Sequence, residues 1–111
     1  MYSKFRLPII YESQIASRIQ RLRLNILVHS RLYYELNDNM ISDKQFDDAC
    51  RELVELQKNY PEIASQVIYA DAFQNFDGTT GFDLPYNDEW VVNKVEQLRK
   101  YRGERPNDWS D

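Results

Sequence analysis

Apolar side chains recur at helical spacing through the first third of the chain. Counting from Ser13, the positions at steps of four and three residues lie on one helix face. These positions are Ile15, Ile19, Leu22, Ile26, His29, Tyr33 and Leu36. The pattern predicts a helix over about 13–36, with Ser13 as its N-cap. Leu24 and Leu27 widen the apolar stripe, so this helix is expected to contact more than one neighbour.

A second helix is predicted after the Asn-Asp-Asn turn at 37–39, whose side chains favour turn backbone. Ser42 with a glutamine three residues later has the spacing of a capping box, and Asp43 adds negative charge at the positive end of the helix. The expected helix covers about 43–59 and ends before Pro61. Its predicted buried face is Phe46, Cys50, Leu53, Leu56 and Tyr60. The short connection makes the two helices antiparallel neighbours.

The second half of the chain has weaker periodicity. Residues 66–87 are expected to be irregular, with a brief strand considered at 67–69. Three phenylalanines are expected to anchor this segment to the helices: Phe73, Phe76 and Phe82. A third helix is predicted over about 89–102, with Val91, Val95 and Leu98 facing inward.

These elements predict an all-α fold of one domain over 1–111, built on the antiparallel helix pair 13–36 and 43–59. The pair, taken as 13–62, is flanked by an extended arm over 1–12 and by a loop plus helix over 63–102. Residues 103–111 read as a polar tail with Trp109 as its one anchor candidate. Only three glycines and four prolines occur in 111 residues, which favours helices over a fold with many turns.

Cysteine content and hydropathy narrow the class of protein further. The single cysteine, Cys50, excludes an internal disulfide framework and a cysteine-based zinc site, and it fits a reducing cytosol. The sequence shows no signal peptide and no run of roughly 20 apolar residues. We therefore expect a cytoplasmic protein without a membrane partner.

Charge is distributed unevenly along the chain. Residues 1–31 hold six basic residues against one acidic residue, whereas the remainder holds 8 basic and 17 acidic residues. The acidic part argues against a protein that wraps nucleic acid. A contact between phosphates and Arg18, Arg21, Arg23 and Arg31 stays open but unfavoured, since a solvated helix face is the commoner explanation.

Candidate chemistry concentrates around the turn between the paired helices. Tyr33 and Tyr34 come at the end of the first helix, and Asp43, Phe46 and Asp47 share one face at the start of the second. Together they form an aromatic wall opposite two carboxylates and the free N–H groups of a helix start. Such a site suits a flat, polar, partly cationic ring. The simpler alternative also stays open: the aromatics are core and the carboxylates complement the helix dipole.

A family resemblance covers residues from about 19 to 62. The stretch RLRLNILVHSRLYYELNDNMISDKQFDDACRELVELQKNYPE resembles the small N-terminal helical domain of bacterial NAD-dependent DNA ligases. The shared pattern is an Arg-containing amphipathic helix with a His and a Tyr pair, an Asp/Asn-rich turn, Ile-Ser-Asp, an aromatic-Asp pair, a Glu-Leu-rich helix and Tyr-Pro-Glu. Phe46 departs from the family's usual tyrosine, so one polar contact is in doubt. His29 matches a common family histidine, although a structural role on the apolar face is the commoner one.

The resemblance implies a ligand and a role for each matching residue. In that family the domain closes over the nicotinamide mononucleotide half of NAD and promotes self-adenylation of a neighbouring catalytic domain. By resemblance, Tyr33 stacks on the nicotinamide and Tyr34 reaches the phosphate or ribose. Asp43 and Asp47 bind ribose hydroxyls or the carboxamide, and Phe46 supplies a ring without a hydroxyl.

The 111 residues lack the Lys-x-Asp-Gly motif of the ligase nucleotidyltransferase domain. We therefore predict a non-catalytic module that requires no cofactor, with NAD or nicotinamide mononucleotide as its ligand. The alternative is a protein–protein interaction module of a phage or mobile element, acting on a host enzyme such as a ligase or an NAD-consuming defence protein. An enzyme acting on NAD through Asp43 and Asp47 is less favoured, because no nucleophile accompanies them.

Overall fold

The computed structural model describes residues 7–79, 81 and 83–104. Helices are the regular secondary structure of this part of the chain and no strand occurs within it, so the predicted all-α class is confirmed. In chain order the elements are α1 (Leu7–Ser30), a π-helical turn (Arg31–Glu35, hereafter the π-turn), α2 (Asp43–Asn59), α3 (Pro61–Ala64) and α4 (Glu89–Glu104).

Helix α1 begins earlier than its sequence pattern predicts. Its first residue is Leu7, so the extended arm expected over 1–12 is wrong for residues 7–12, and Ser13 is not an N-cap. Pro8 is compatible with this start, because a proline in the first helical turn lacks an N–H that would have no helical acceptor there. Residues 1–6 of the expected arm lie outside the described part.

The first helix ends in a wider turn than an α-helix has. The Leu36 N–H donates to the Arg31 carbonyl at 3.2 Å, a bond that spans five residues, and the Asp38 N–H donates to the Leu32 carbonyl at 2.8 Å. Asn37 takes a left-handed backbone with φ of 51°. Asparagine tolerates this conformation, so the predicted turn chemistry at 37–39 has its physical reason here.

Helix α2 begins and ends where the sequence predicts. Ser42 accepts from the Gln45 N–H at 3.1 Å, and the Gln45 side chain accepts from the Ser42 N–H at 2.9 Å, which is the predicted capping box. The Tyr60 N–H closes the helix on the Leu56 carbonyl, and Pro61 opens the short α3.

The core lies where α1, α2 and α4 meet, with the irregular segment packed over it. Fully buried apolar side chains come from all four contributors, including Ile19, Ile26, Leu53, Phe73, Val91 and Val95. Phe46, Leu56 and Leu98 are half-buried against this cluster. The inward faces predicted for α2 and α4 are therefore the faces that pack.

The segment between α3 and α4 is a series of turns. The brief strand considered at 67–69 is wrong, because these residues form turns and Tyr69 has a left-handed φ of 67°. Phe73 is fully buried and Phe76 packs on the core, whereas Phe82 lies outside the described residues. Helix α4 runs two residues past the predicted end, to Glu104, and the rest of the expected tail, including Trp109, falls outside the described part.

Candidate functional site

A cleft of about 260 Å³ opens between the π-turn and the start of α2. All five residues singled out from the sequence line it: Tyr33, Tyr34, Asp43, Phe46 and Asp47. The remaining lining residues are His29, Asn39, Ile41, Ser42 and Thr79. The two tyrosines and the two carboxylates of α2 lie close together because only a short turn separates the helices.

Tyrosine side chains form one wall of the cleft. Tyr33 is 56% exposed, and its ring packs edge-on against Tyr34, with centroids 4.9 Å apart and planes at 82°. Tyr34 in turn stacks on Tyr86 at 6.0 Å and 18°. The π-turn carries both cleft tyrosines, and such turns often occur at functional sites because they alter which side chains share a face. An accessible aromatic ring supported from behind is suited to stacking on a planar ligand.

The opposite wall is the first turn and a half of α2. Asp43 and Asp47 are exposed and one helical turn apart, with the half-buried Phe46 between them. The backbone N–H groups at this end lack intrahelical acceptors, and the Ser42 hydroxyl takes up that of Gln45. The wall therefore offers carboxylate acceptors beside backbone donors, a combination that can hydrogen-bond both hydroxyl and amide groups.

His29 lines the cleft from the last turn of α1, two residues before the π-turn. Its Nδ1 atom is buried and has no hydrogen-bond partner in the described part of the chain. Burial lowers the pKa of His29, because the charged imidazolium loses hydration there. The imidazole is therefore neutral at neutral pH and has a buried polar atom without a partner among the described residues. The sequence pattern favours a structural role for this residue, and the geometry places it among the lining residues.

Thr79 reaches the cleft from the irregular segment, and the sequence pattern does not single it out. The Asp77 carboxylate accepts from both the backbone N–H and the hydroxyl of Thr79, at 3.0 and 2.7 Å. Gly78 has a φ of 86°, and a Cβ there would lie 3.3 Å from Val54 of α2. A glycine thus lets this turn approach α2 closely and present Thr79. The Asp77-Gly78 pair in the sequence predicts a turn here. It does not predict that the turn packs beside the cleft.

Three of the four arginines considered for phosphate contacts already interact with other groups of the protein. Arg18 forms a bidentate pair with Glu52, at 2.6 and 2.7 Å. Arg23 is 1% exposed and hydrogen-bonds within the protein. Of the other two, Arg31 donates to the Asn87 side-chain oxygen, and Arg21 is exposed on α1. This leaves little support for the unfavoured alternative of a phosphate contact.

Within the described ranges, no group of three or more His, Cys, Asp or Glu side chains is arranged to hold a metal ion. The same part of the chain contains no helix that is both long and apolar enough to cross a bilayer.

The fold and the cleft define a small helical module with a ligand-sized site at the turn of its helix pair. Comparison with known families gives the class: residues 12–66 match the family described as DNA ligase-like, N-terminal NAD+-binding domain. This segment of the chain is therefore similar to that domain family. The resemblance predicted over about 19–62 is confirmed, and the match extends it at both ends.

Individual relatives match about half of this chain and only a small share of their own length. The DNA ligase of Pseudothermotoga lettingae is 45% identical over 51 residues, which are 46% of this chain and 8% of that relative. The DNA ligase of Bacteroides fragilis is 46% identical over 52 residues, 47% of this chain and 8% of its own length.

A longer match includes part of the second half of the chain. The DNA ligase of Thermotoga neapolitana is 28% identical over 98 residues, covering 78% of this chain and 14% of that relative. The chain thus spans 8% to 14% of the length of these three ligases. No solved structure matches it significantly.

Proposed function

We propose that the cleft binds the nicotinamide mononucleotide half of NAD and that the module performs no bond-making step itself. The observation that carries this is the convergence of Tyr33, Tyr34, Asp43, Phe46 and Asp47 on one cleft. The same five positions match the nucleotide-contacting residues of the domain family by resemblance. The match of residues 12–66 to a family described as NAD+-binding supports the ligand class.

Each side chain has a role that its chemistry and place support. The exposed ring of Tyr33 stacks on the nicotinamide, and Tyr34 lies beside it toward the ribose or phosphate. The carboxylates of Asp43 and Asp47 accept from ribose hydroxyls or from the carboxamide N–H. They also favour the positive charge of an oxidised nicotinamide ring. The ligand's phosphate is best placed away from these carboxylates, toward solvent, because like charges repel.

The proposal includes the statement that the module itself catalyses no reaction. Asp43 and Asp47 are exposed carboxylates, and the cleft lining also contains the hydroxyls of Ser42 and Thr79. The Ser42 hydroxyl accepts the Gln45 N–H and the Thr79 hydroxyl donates to Asp77. Each hydroxyl thus has a place in local structure, and we assign neither a catalytic role. Binding and presentation of the nucleotide is the function that this set supports best.

A ¹H–¹⁵N NMR titration with nicotinamide mononucleotide, NAD and AMP in parallel tests the proposal. We expect shifts at the cleft residues with both nicotinamide ligands and none with AMP. Asp47→Asn should weaken binding about tenfold, since it removes a charged hydrogen-bond acceptor. Glu55→Gln, an equivalent charge loss two turns further along the exposed face of α2, is the matched control and should bind as the parent does. No shift at millimolar ligand, or undiminished binding by Asp47→Asn, would contradict the proposal.

The protein–protein alternative, including a phage or mobile-element origin, stays a prediction. Tyr33, Ile68, Trp90 and Tyr101 are exposed large apolar side chains. Scattered exposed residues of this kind do not identify a partner. Cytoplasmic location likewise stays an expectation from the sequence.

A further inference from the structure

Residues outside the ligase-like segment hold the turn that carries the cleft tyrosines. Four side chains from the second half of the chain contact residues 31–38, and we refer to them as the brace: Tyr86, Asn87, Arg99 and Arg102. They contact the start, the middle and the end of that stretch. None of the four lies within residues 12–66.

Polar contacts hold the two ends of the turn. At its start, Arg31 donates from Nη1 to the Asn87 side-chain oxygen at 2.7 Å. At its end, Asp38 accepts from Nη2 of Arg102 at 2.7 Å and lies 3.4 Å from Nε of Arg99. The Asp38 side chain is 21% exposed, so its ion pairs are partly shielded from solvent. Both ends are thereby tied to segments about 56 and 64 residues further along the chain.

Three tyrosine rings connect the middle of the turn to the core. Tyr86 is 6% exposed, and its N–H donates to the Leu84 carbonyl at 2.8 Å, three residues before α4 begins. Its ring stacks on Tyr34, and Tyr34 packs edge-on against the exposed Tyr33. Accessibility thus rises from the buried Tyr86 through the half-buried Tyr34 to Tyr33. A ring that is more than half exposed has few neighbours to orient it, so its contact with Tyr34 matters for its position.

We propose that Tyr86 is a positioning residue for the aromatic wall of the cleft. It orients Tyr34 by stacking, and Tyr34 orients Tyr33 by edge-on packing. Tyr86 does not line the cleft, so it acts through the two tyrosines that do. Its effect on ligand affinity rests on the proposed binding of nicotinamide mononucleotide, whereas its effect on the two rings does not.

Tyr86 variants of the full chain separate positioning from general stability. Tyr86→Phe keeps the stacked ring, and Tyr86→Leu removes it while staying apolar. Leu56→Ala is the control: Leu56 packs on the core in the last turn of α2, about 20 Å along the helix axis from Asp43. Urea unfolding first establishes that Leu56→Ala is destabilised at least as much as Tyr86→Leu, and all spectra are recorded where each variant is folded.

The first measurement needs no ligand. With tyrosine rings selectively labelled, we expect Tyr86→Leu to move the Tyr33 and Tyr34 ring signals toward their unfolded-chain positions, while core methyl signals stay native. Tyr86→Phe and Leu56→Ala should keep the parent ring signals. Unchanged Tyr33 and Tyr34 signals in Tyr86→Leu would overturn the proposal, whether or not the protein binds nucleotide.

The second measurement is the dissociation constant for nicotinamide mononucleotide. We expect it to rise about three- to tenfold in Tyr86→Leu and to stay within twofold of the parent in Tyr86→Phe and Leu56→Ala. Equal affinity of Tyr86→Leu and the parent would overturn the link to binding. If the parent itself binds no nicotinamide ligand, the proposed function fails, and the ring signals alone decide the positioning role.

Discussion

Arg23 and Gln57, 34 residues apart, join α1 to α2 through two hydrogen bonds to one oxygen. Nε and Nη2 of Arg23 donate to the Gln57 side-chain oxygen at 3.0 and 2.8 Å. The same guanidinium donates to the backbone carbonyls of Ala64, Val67 and Ile68. The Gln57 amide donates to the Phe73 carbonyl at 3.0 Å. The pair thus supplies donors to carbonyls at the end of α3 and in the turns that follow it.

Removing this guanidinium should destabilise the fold strongly. Arg23→Met keeps an apolar stem of similar length but leaves the Gln57 oxygen and the three carbonyls without their donor. We expect a loss of about 3 kcal/mol in the free energy of unfolding, measured by urea denaturation. Arg21→Met, on the exposed face of the same helix, is the control and should change stability by less than about 0.5 kcal/mol. A loss in Arg23→Met as small as that control would contradict the structural role.

The charge of the nicotinamide ring should affect affinity. The oxidised ring is cationic and the reduced ring is neutral, whereas the cleft presents Tyr33 together with Asp43 and Asp47. A cation over an aromatic face near carboxylates is favoured, so oxidised nicotinamide mononucleotide should bind about three- to tenfold more tightly than its reduced form. Titrations of both forms at two salt concentrations check this. Equal affinities would exclude recognition of the ring's charge.

Phe46→Tyr should strengthen binding. By resemblance the family carries a tyrosine at this position, and Phe46 lines the cleft between the two carboxylates. An added hydroxyl that hydrogen-bonds the ligand contributes about 1 kcal/mol, so we expect roughly fivefold tighter binding of nicotinamide mononucleotide. Phe76→Tyr, a half-buried phenylalanine that does not line the cleft, is the matched control. No gain in Phe46→Tyr would mean that the hydroxyl finds no acceptor on the ligand.

Stability should fall in mild acid because of His29. Burial lowers the pKa of His29 below its ordinary value of 6.5, so the unfolded chain binds more protons than the folded chain between the lowered pKa and 6.5. The contribution of His29 is therefore fully present above pH 6.5 and is lost as the pH falls below it, by at most about 1.4 kcal/mol per pH unit.

Urea unfolding between pH 7.5 and 5.5 measures this slope before most carboxylates begin to titrate. The parent should lose stability toward pH 5.5, and His29→Gln should be flatter over the same range. His29 is the single histidine of the chain, so the difference between the two slopes belongs to it. Identical slopes would show that the imidazole is hydrated in the folded protein.

The Cys50 thiol should react slowly in the folded protein. Burial, aided by the charge of Asp47, raises the pKa of Cys50 from 9.0 to about 11. At pH 8 the reactive thiolate is then about 100-fold scarcer than for an ordinary cysteine, and the side chain is 2% exposed. A thiol-specific disulfide reagent should therefore label the native chain at least about 100-fold more slowly than the chain in urea. Rapid labelling under native conditions would show that the core opens locally.

Local sequence decided the helices and the cleft between them. The 3.6-residue period places Ile19, Leu22 and Ile26 on the buried face of α1, and the capping box sets the first residue of α2. Five of the cleft residues were predictable for the same reason: they flank one short turn, so few residues separate the two walls. Thr79 was not, because it reaches the cleft from the irregular segment. The start of α1 was not predictable, because Ser13 has the chemistry of an N-cap and the upstream residues show no period that overrides it.

Tertiary structure alone decided how the irregular half of the chain is held. No period or motif indicates that Arg23 is buried, that Tyr86 stacks on Tyr34, or that Asp38 pairs with Arg102. Each of these contacts joins residues more than 40 positions apart in sequence. For Arg23 the contacts meant are its hydrogen bonds to backbone carbonyls. Local propensity acts over one or two turns of chain, whereas such contacts depend on which surfaces meet once α1, α2 and α4 have packed.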